Sequence, residues 1–198
     1  MLYGAGLLFI LALGGVWYFV IRTPGPCDVS REKIAVTDEA MRPWMKQNDT
    51  LSVEKNYYAC NTIQRGDWVA YSLSGNLKPM VRIAVGIPGD DYELVESIED
   101  GRWNLKINGE WYQTDWGSGL RKYFFGTSKV RPNLLSHDPK SPLTGKVNPG
   151  EVLLLANVPP GFMDAGVTGK RLIRETYGRV IQPDAFKKST TTEGESQP

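Results

Sequence analysis

Short runs in which apolar and polar residues alternate fill most of the chain after its first 33 residues, and they predict a mostly β fold. Residues 33–37 and 49–53 alternate with the period of two that is typical of strands with one buried face. Residues 68–71 are Trp, Val, Ala and Tyr, a composition that favours a strand. Further strands are predicted in the first half of 81–90 and at 91–95, 103–107, 110–113, 151–156, 171–173 and 178–181.

Glycine and proline separate these runs, and the 21 glycines and 13 prolines favour β structure with many turns. Asn108-Gly109 predicts a tight hairpin between two of the strands. Gly86-Ile87-Pro88-Gly89 must end the strand that precedes it. Residues 126–150 form a long proline-rich insertion, and nothing after the N-terminal segment predicts a long helix.

The N-terminal segment, residues 1–22, is predicted to be a transmembrane anchor. Residues 2–21 contain no charged side chain, and a helix of this length extends about 30 Å, the thickness of the hydrocarbon core. A cleavable signal peptide has a shorter apolar run and a basic start, and Pro26 disfavours lipoprotein cleavage before Cys27. The rest of the chain divides into a linker at 23–33, a β domain at 34–186 and a disordered tail at 187–198.

Charge and residue content exclude several classes of function. The net charge of +1 gives no electrostatic reason to expect nucleic acid as a partner. Cys27 and Cys60 are too few for a structural zinc site, and no metal or cofactor is predicted. These cysteines form either one disulfide, which fits an oxidising compartment, or two buried free thiols. His137 is the only histidine and lies in the proline-rich insertion, so we interpret it as a solvated loop residue.

Five motifs stand in the same order as in the bacterial type I signal peptidases (leader peptidases), and the chain resembles that family between residues 34 and 183. The related conjugative pilin-processing serine peptidases have a similar order. The most specific of the five motifs is Gly86-Ile87-Pro88-Gly89-Asp90. The others are Ala40-Met41-Arg42-Pro43 with Asn48-Asp49, Arg65-Gly66-Asp67-Trp68-Val69, Ile107-Asn108-Gly109, and Pro149-Gly150-Glu151-Val152 continuing to Asp164.

The resemblance implies a signal-peptidase-type β domain, but it places unsuitable residues at both catalytic positions. In the family, a serine attacks the peptide carbonyl and a neutral lysine takes the proton of its hydroxyl. Ala40 stands at the nucleophile position and has no attacking atom, and Arg82 stands at the base position and stays protonated. Phe162 replaces a serine that orients the base, and of that last motif only Asp164 is retained.

Several polar side chains lie close in sequence to the two catalytic positions. Lys78 precedes Arg82 by four residues, which corresponds to about 13 Å along a strand. The hydroxyl residues near the Ala40 segment do not occupy its nucleophile position, and Lys46 is left open as a base. These hydroxyl residues are Thr37, Thr50 and Ser52.

The binding site that the resemblance implies consists of Met41, Pro43, Val81 and Asp164. Arg82 is a candidate to bind a peptide carbonyl or carboxylate there, to pair with Asp164, or to be a solvent-facing strand charge. The tryptophans are candidates either for contact with membrane lipid or for ordinary core packing. They are Trp44, Trp68, Trp103, Trp111 and Trp116.

These observations lead to one hypothesis and two alternatives. The hypothesis is a membrane-anchored, signal-peptidase-like protein that lacks the Ser/Lys dyad and binds a signal peptide, a pilin precursor or a secretion-system protein. The alternatives are an active serine endopeptidase, seen as a Ser-to-Ala variant or using an unusual base, and a structural subunit of an envelope or secretion assembly. The resemblance and the cysteines predict a single-pass protein of the bacterial inner membrane with a periplasmic domain. Arg22, Arg31 and Lys33 after the anchor instead favour a cytoplasmic domain by the positive-inside rule.

Overall fold

The computed structural model describes residues 27–37, 39–72, 79–99, 101–115, 120–122, 143–157 and 169–182. In these residues the fold is mostly β, as the alternating pattern predicts. The strands are β1 Ser30–Ala35, β2 Thr50–Lys55, β3 Trp68–Tyr71, β4 Met80–Gly86, β5 Asp91–Glu96, β6 Trp103–Ile107, β7 Glu110–Trp111, β8 Gln113–Asp115, β9 Leu120–Lys122, β10 Thr144–Lys146, β11 Glu151–Leu155, β12 Gly169–Leu172 and β13 Thr176–Val180. Two short 3-10 helices, Tyr57–Ala59 and Ile173–Glu175, lie between strands.

The described strands form three antiparallel sheets. The largest has seven strands in the order β1-β2-β13-β3-β4-β11-β12, and β4 therefore lies inside it. The second sheet has the order β10-β5-β6-β7, and β8 pairs with β9. The predicted Asn108-Gly109 hairpin is confirmed: it joins β6 to β7, and both turn residues have positive φ, 52° and 84°.

Apolar side chains lie on both faces of the seven-stranded sheet. One face packs against the four-stranded sheet and forms the main core, which includes Leu51, Val53, Ile83, Leu155, Tyr92 and Leu105. The other face is covered by the loop after β2 and forms a second apolar cluster, which includes Tyr58, Ile63, Val69, Ala84 and Leu154. Because side chains alternate along each strand, consecutive residues of β3, β4 and β11 serve different clusters.

A disulfide fastens the loop that covers the second cluster. Cys27 and Cys60 are bonded, with their Cα atoms 5.5 Å apart. Cys60 directly follows the first 3-10 helix, and Cys27 lies just before β1. The disulfide alternative of the sequence analysis is therefore confirmed, and the alternative of two free thiols is wrong.

Some strand boundaries differ from the predicted ones. β1 begins at Ser30, inside the predicted linker at 23–33, because its charged residues lie on an edge strand where backbone pairing with β2 dominates. β10 lies inside the predicted insertion at 126–150, and its three residues are too few to show a periodicity. The predicted strand at 110–113 divides into β7 and β8 around Tyr112, which packs against the main core.

Three predictions fall on residues that the structure does not describe. They are the transmembrane anchor at 1–22, the tail at 187–198 and the retained Asp164. Within the described part of the chain, no helix has the length and apolar character needed to cross a membrane.

Glu54 on β2 links its own strand to β1 and β13 through two arginines. Its replacement tests how much these ion pairs stabilise the fold. Arg179 donates from Nε and Nη2 to its Oε2 at 3.1 and 2.7 Å, and Arg31 donates to Oε1 at 3.2 Å. The hydrogen bonds from Arg179 hold the pKa of Glu54 below its ordinary value, against the opposing effect of burial. We expect Glu54→Gln to lower the free energy of unfolding by about 1–3 kcal/mol at neutral pH.

This loss should depend on pH in a definite direction. Because the folded-state pKa of Glu54 is lowered, its stabilisation is present above the ordinary glutamate pKa. It is lost as the pH falls through the folded-state value. Urea unfolding of both proteins from neutral to acidic pH measures this, with Glu96→Gln on the exposed end of β5 as the control. A stability difference that does not shrink at acidic pH would contradict the ion-pair explanation.

Candidate functional site

A tight turn at residues 39–44 carries Ala40, the position that the resemblance aligns with the nucleophile. Ala40 is 8% exposed there, and the next residue, Met41, is completely buried in the main core. The N–H of Trp44 donates to the carbonyl of Met41 at 3.1 Å, and the Trp44 ring stacks on Trp68 with centroids 5.7 Å apart. These contacts fix the turn against β3.

Asn157, which follows β11, attaches this turn to the end of the sheet. Its backbone N–H donates to the carbonyl of Ala40 at 2.7 Å, and its Nδ2 donates to the carbonyl of Arg42 at 2.8 Å. Its Oδ1 accepts a hydrogen bond from the hydroxyl of Thr114 on β8. Sequence reasoning missed this completely buried residue. The only available signal was a polar residue directly after the apolar run of β11.

Arg82 at the base position is buried in β4. Its side chain is among the largest that are fully covered, and the residue is 1% exposed. It lies opposite Val69 of β3, so it shares a face with the second apolar cluster. One of its interactions is a hydrogen bond from Nη1 to the carbonyl of Val81 at 2.6 Å. The interpretation of Arg82 as a solvent-facing strand charge is therefore wrong.

Beside Arg82, β4 has a backbone edge at residues 80 and 81 that no strand among the described residues pairs on the β11 side. Ala84 exchanges hydrogen bonds of 2.8 and 2.9 Å with the two residues before β3, so its polar groups point towards β3. The backbone N–H and C=O groups of successive residues in an antiparallel strand point alternately to its two sides. Those of Val81 therefore point towards the β11 side. β11 ends at Leu155, opposite Ile83. No strand among the described residues pairs with Val81 on that side.

The two positions that the resemblance aligns with the nucleophile and the base lie towards the same end of the sheet. Ala40 packs against Ala156, and together they form a small buried apolar contact. Leu155 lies opposite Ile83 in the pairing of β11 with β4. Continuing that register by one residue places Ala156 opposite Arg82. The two positions that the resemblance pairs are therefore both neighbours of Ala156.

Three of the hydroxyl and amine residues near the two positions are exposed, and Lys78 lies outside the described residues. Ser52 is exposed on β2, three strands away from β4 in the sheet order, which is about 14 Å. Thr50 is exposed at the start of the same strand. Lys46 is also exposed.

The most specific motif, residues 86–90, is a structural junction. The Oδ2 atom of Asp90 accepts from the N–H of Ile87 at 2.6 Å and closes the turn. Its Oδ1 atom accepts from Nη2 of Arg65 and from Nδ2 of Asn108, both at 2.8 Å. Arg65 and Asn108 belong to two of the other motifs, so three motifs meet at one carboxylate.

The two glycines of this motif have separate structural reasons. A Cβ on Gly86 would lie 3.0 Å from the Cβ of Leu153, so glycine permits β11 to pack closely on β4. Gly89 has a φ of +100°, which side chains rarely adopt. Both glycines of the motif therefore have roles in the fold that do not depend on the residue at position 82.

The residues of the implied binding site have different environments. The side chains of Met41 and Val81 lie in the main core, so only their backbone atoms are placed to contact a ligand. Pro43 is exposed, and Asp164 lies outside the described residues.

The tryptophans separate into two groups. Trp68 and Trp103 are buried in the main core, which excludes them from contact with lipid. Trp44 and Trp111 are partly exposed, and Trp116 lies outside the described part of the chain.

Comparison with known proteins adds no assignment. The sequence matches no protein-family model, and a search of curated proteins finds no match. Within the described residues, no group of His, Cys, Asp and Glu is arranged to hold a metal ion.

Proposed function

We propose that this protein is a membrane-anchored, signal-peptidase-like protein that binds a signal peptide or a pilin precursor without cleaving it. The backbone edge of β4 at residues 80 and 81, which no strand among the described residues pairs on the β11 side, carries the proposal. It offers the N–H and C=O of Val81 to an extended peptide, which is how strand addition holds a ligand through its backbone. The Ala40 turn lies at the end of this edge, and the methyl side chain of Ala40 has no atom that is able to attack the peptide.

The junction at Asp90 supports a signal-peptidase-type domain as the finer description of the fold. Its three motifs stand in the family's order and depend on one another through hydrogen bonds. A segment that is needed for folding keeps its sequence after catalysis is lost. This explains why residues 86–90 match the family closely while Ala40 and Arg82 do not.

The proposal places the domain on the periplasmic side of the bacterial inner membrane, carried by the anchor at 1–22. The Cys27–Cys60 disulfide supports this side, because disulfides persist outside the cytoplasm. The peptide then arrives in the membrane plane from a secretion or conjugation system, with membrane lipid around the anchor.

Site-specific photocrosslinking tests peptide binding at the β4 edge. A photoreactive amino acid replaces Met80, the partly exposed first residue of β4, in the full chain in the membrane. The control replaces Ile98, a fully exposed residue in the β5–β6 turn of the other sheet. We expect the Met80 position to capture an added signal peptide, and the Ile98 position to capture none.

Two results would count against the proposed function. Equal capture at the Met80 and Ile98 positions would show that the peptide binds the protein nonspecifically. The Met80 variant must unfold at the wild-type temperature for the test to be valid. If it then captures no peptide, the β4 edge is not the binding site.

A further inference from the structure

We propose that the Cys27–Cys60 disulfide is a site of thiol–disulfide exchange, and that its opening lengthens the tether between the membrane anchor and the β domain. The reactant is a protein dithiol, a chemical class that exchanges with accessible disulfides. The inference rests on the proposed function, since it takes residues 1–22 as the anchor. It adds a covalent modification that controls where the β4 edge lies relative to the membrane.

The disulfide lies on the surface of the described domain. Both cysteines are exposed, and so are their described neighbours along the chain, which are Asp28, Val29, Ala59 and Asn61. Exchange depends on such access, because a thiolate must reach one of the two sulfurs. A second protein is therefore able to approach this bond, as it is not able to approach a disulfide inside a core.

The exchange is a transfer of two electrons to the Cys27–Cys60 bond. One thiolate of the dithiol protein attacks a sulfur of this bond, forms a mixed disulfide and releases the other cysteine as a thiolate, which takes up a proton. The second thiol of the reactant then loses its proton and breaks the mixed disulfide as a thiolate. The products are two thiols in this protein and one disulfide in the reactant, which is the electron donor.

The loop that carries Cys60 has other contacts that remain when the disulfide opens. The hydroxyl of Tyr58 donates to Oδ2 of Asp67 at 3.1 Å. Cζ of Arg179 lies 3.8 Å from the centre of the Tyr57 ring. β1 also keeps its pairing with β2 from its first residue onwards. Opening therefore releases the segment before β1 without removing the pairing of the sheet.

Opening moves the first fixed point of the domain from Cys27 to Ser30, because Ser30 is the first residue of β1 and pairs with Lys55. From the end of the anchor at residue 22, the chain runs five residues to Cys27 and eight to Ser30. At about 3.4 Å for each residue, the maximum reach of the tether rises from about 17 Å to about 27 Å.

The tether and the β4 edge lie at the same end of the seven-stranded sheet. Ser30 lies opposite Lys55, and Tyr71 lies opposite Met80. β13 connects these two pairs, since residues 176–178 pair with both Lys55 and Tyr71. The closed disulfide therefore holds the β4 edge closer to the membrane, where the proposed function places the peptide.

Thiol trapping with the full chain in membrane vesicles tests the exchange. The vesicles are incubated with an excess of reduced thioredoxin as the dithiol, and a maleimide of high mass then labels free thiols. We expect two labelled cysteines per chain after thioredoxin treatment and none before it. Absence of labelling after this treatment, in a protein that is labelled once it has been unfolded and reduced, overturns the exchange site.

Energy transfer to the lipid surface tests the longer tether. A fluorescent amino acid replaces Arg174, an exposed residue shortly before β13, and the vesicles contain acceptor lipids. Reduction of the disulfide should lower the transfer efficiency, and reoxidation should restore it. The matched control carries Cys27→Ser and Cys60→Ser and should have the low efficiency in both buffers. Equal transfer by the oxidised and reduced protein, or a redox response that persists in the control, overturns the role of the tether.

The outcomes separate the inference from the proposed function. Extraction of the protein from the vesicles by alkaline carbonate would contradict the anchor, and with it the proposed function. A protein that stays in the membrane and captures peptide at the Met80 position, but whose transfer efficiency does not change on reduction, overturns the inference alone.

Discussion

Asp90→Ala should lower the free energy of unfolding by about 3–5 kcal/mol, because it removes a buried carboxylate from three donors at once. The bonds lost are those from the N–H of Ile87 and from the side chains of Arg65 and Asn108. The turn at the end of β4 then loses its closing bond, and the Arg65 guanidinium loses its charged partner. Chemical denaturation monitored by tryptophan fluorescence measures the change.

The neighbouring residue provides a matched control for this experiment. Asp91 is also an aspartate, but its side chain is 70% exposed and its closest cation, Nζ of Lys146, is 3.8 Å away. Asp91→Ala should change stability by less than about 0.5 kcal/mol. If the two alanine variants were equally stable, the 86–90 motif would not be the junction that we describe.

Replacing both cysteines by serine should cost about 3–4 kcal/mol of stability. The Cys27–Cys60 disulfide closes a segment with a sequence separation of 33 residues, and the chain-entropy relation gives a loss of this size for such a loop. The loop that carries Cys60 also covers the second apolar cluster, so unfolding should begin there. Thermal unfolding and hydrogen exchange of the loop amides measure both effects.

Reduction of the wild-type protein is the control for the cysteine variant. The reduced protein and the double serine variant should unfold at the same midpoint, below that of the oxidised protein. An oxidised protein that is no more stable than the double variant would mean that the disulfide does not stabilise the fold.

Much of the sheet structure follows from local sequence signals. The strand at 68–71 has the boundaries of β3, and the Asn108-Gly109 turn has the positive φ angles that its residues favour. Strands whose pairing depends on distant partners were harder to predict. Three of the six residues of β1 are charged, and the segment becomes a strand because it pairs with β2, from Ser30 opposite Lys55 to Ala35 opposite Thr50.

The site was predictable only in part. The motifs pointed to Ala40 and Arg82, whereas the place of Ala156 depends on the pairing of β11 with β4, which the sequence does not show. The burial of Arg82 could not be foreseen, because an arginine in an apolar run is as consistent with an exposed strand face. Asn157 was also beyond prediction, since its partners Ala40, Arg42 and Thr114 come from distant parts of the chain. Long-range hydrogen bonds produce no periodic pattern of residues in a sequence.

The central claim is that the fold binds a peptide at the β4 edge without the chemistry to cleave it. The most direct measurement is mass spectrometry of a precursor signal peptide after incubation with the unmodified full chain. We expect the peptide to be recovered intact from the complex, as it is with an Arg82→Met protein purified in the same way. Cleavage at a single bond by the unmodified chain, absent with Arg82→Met, would contradict the claim and restore the active-peptidase alternative.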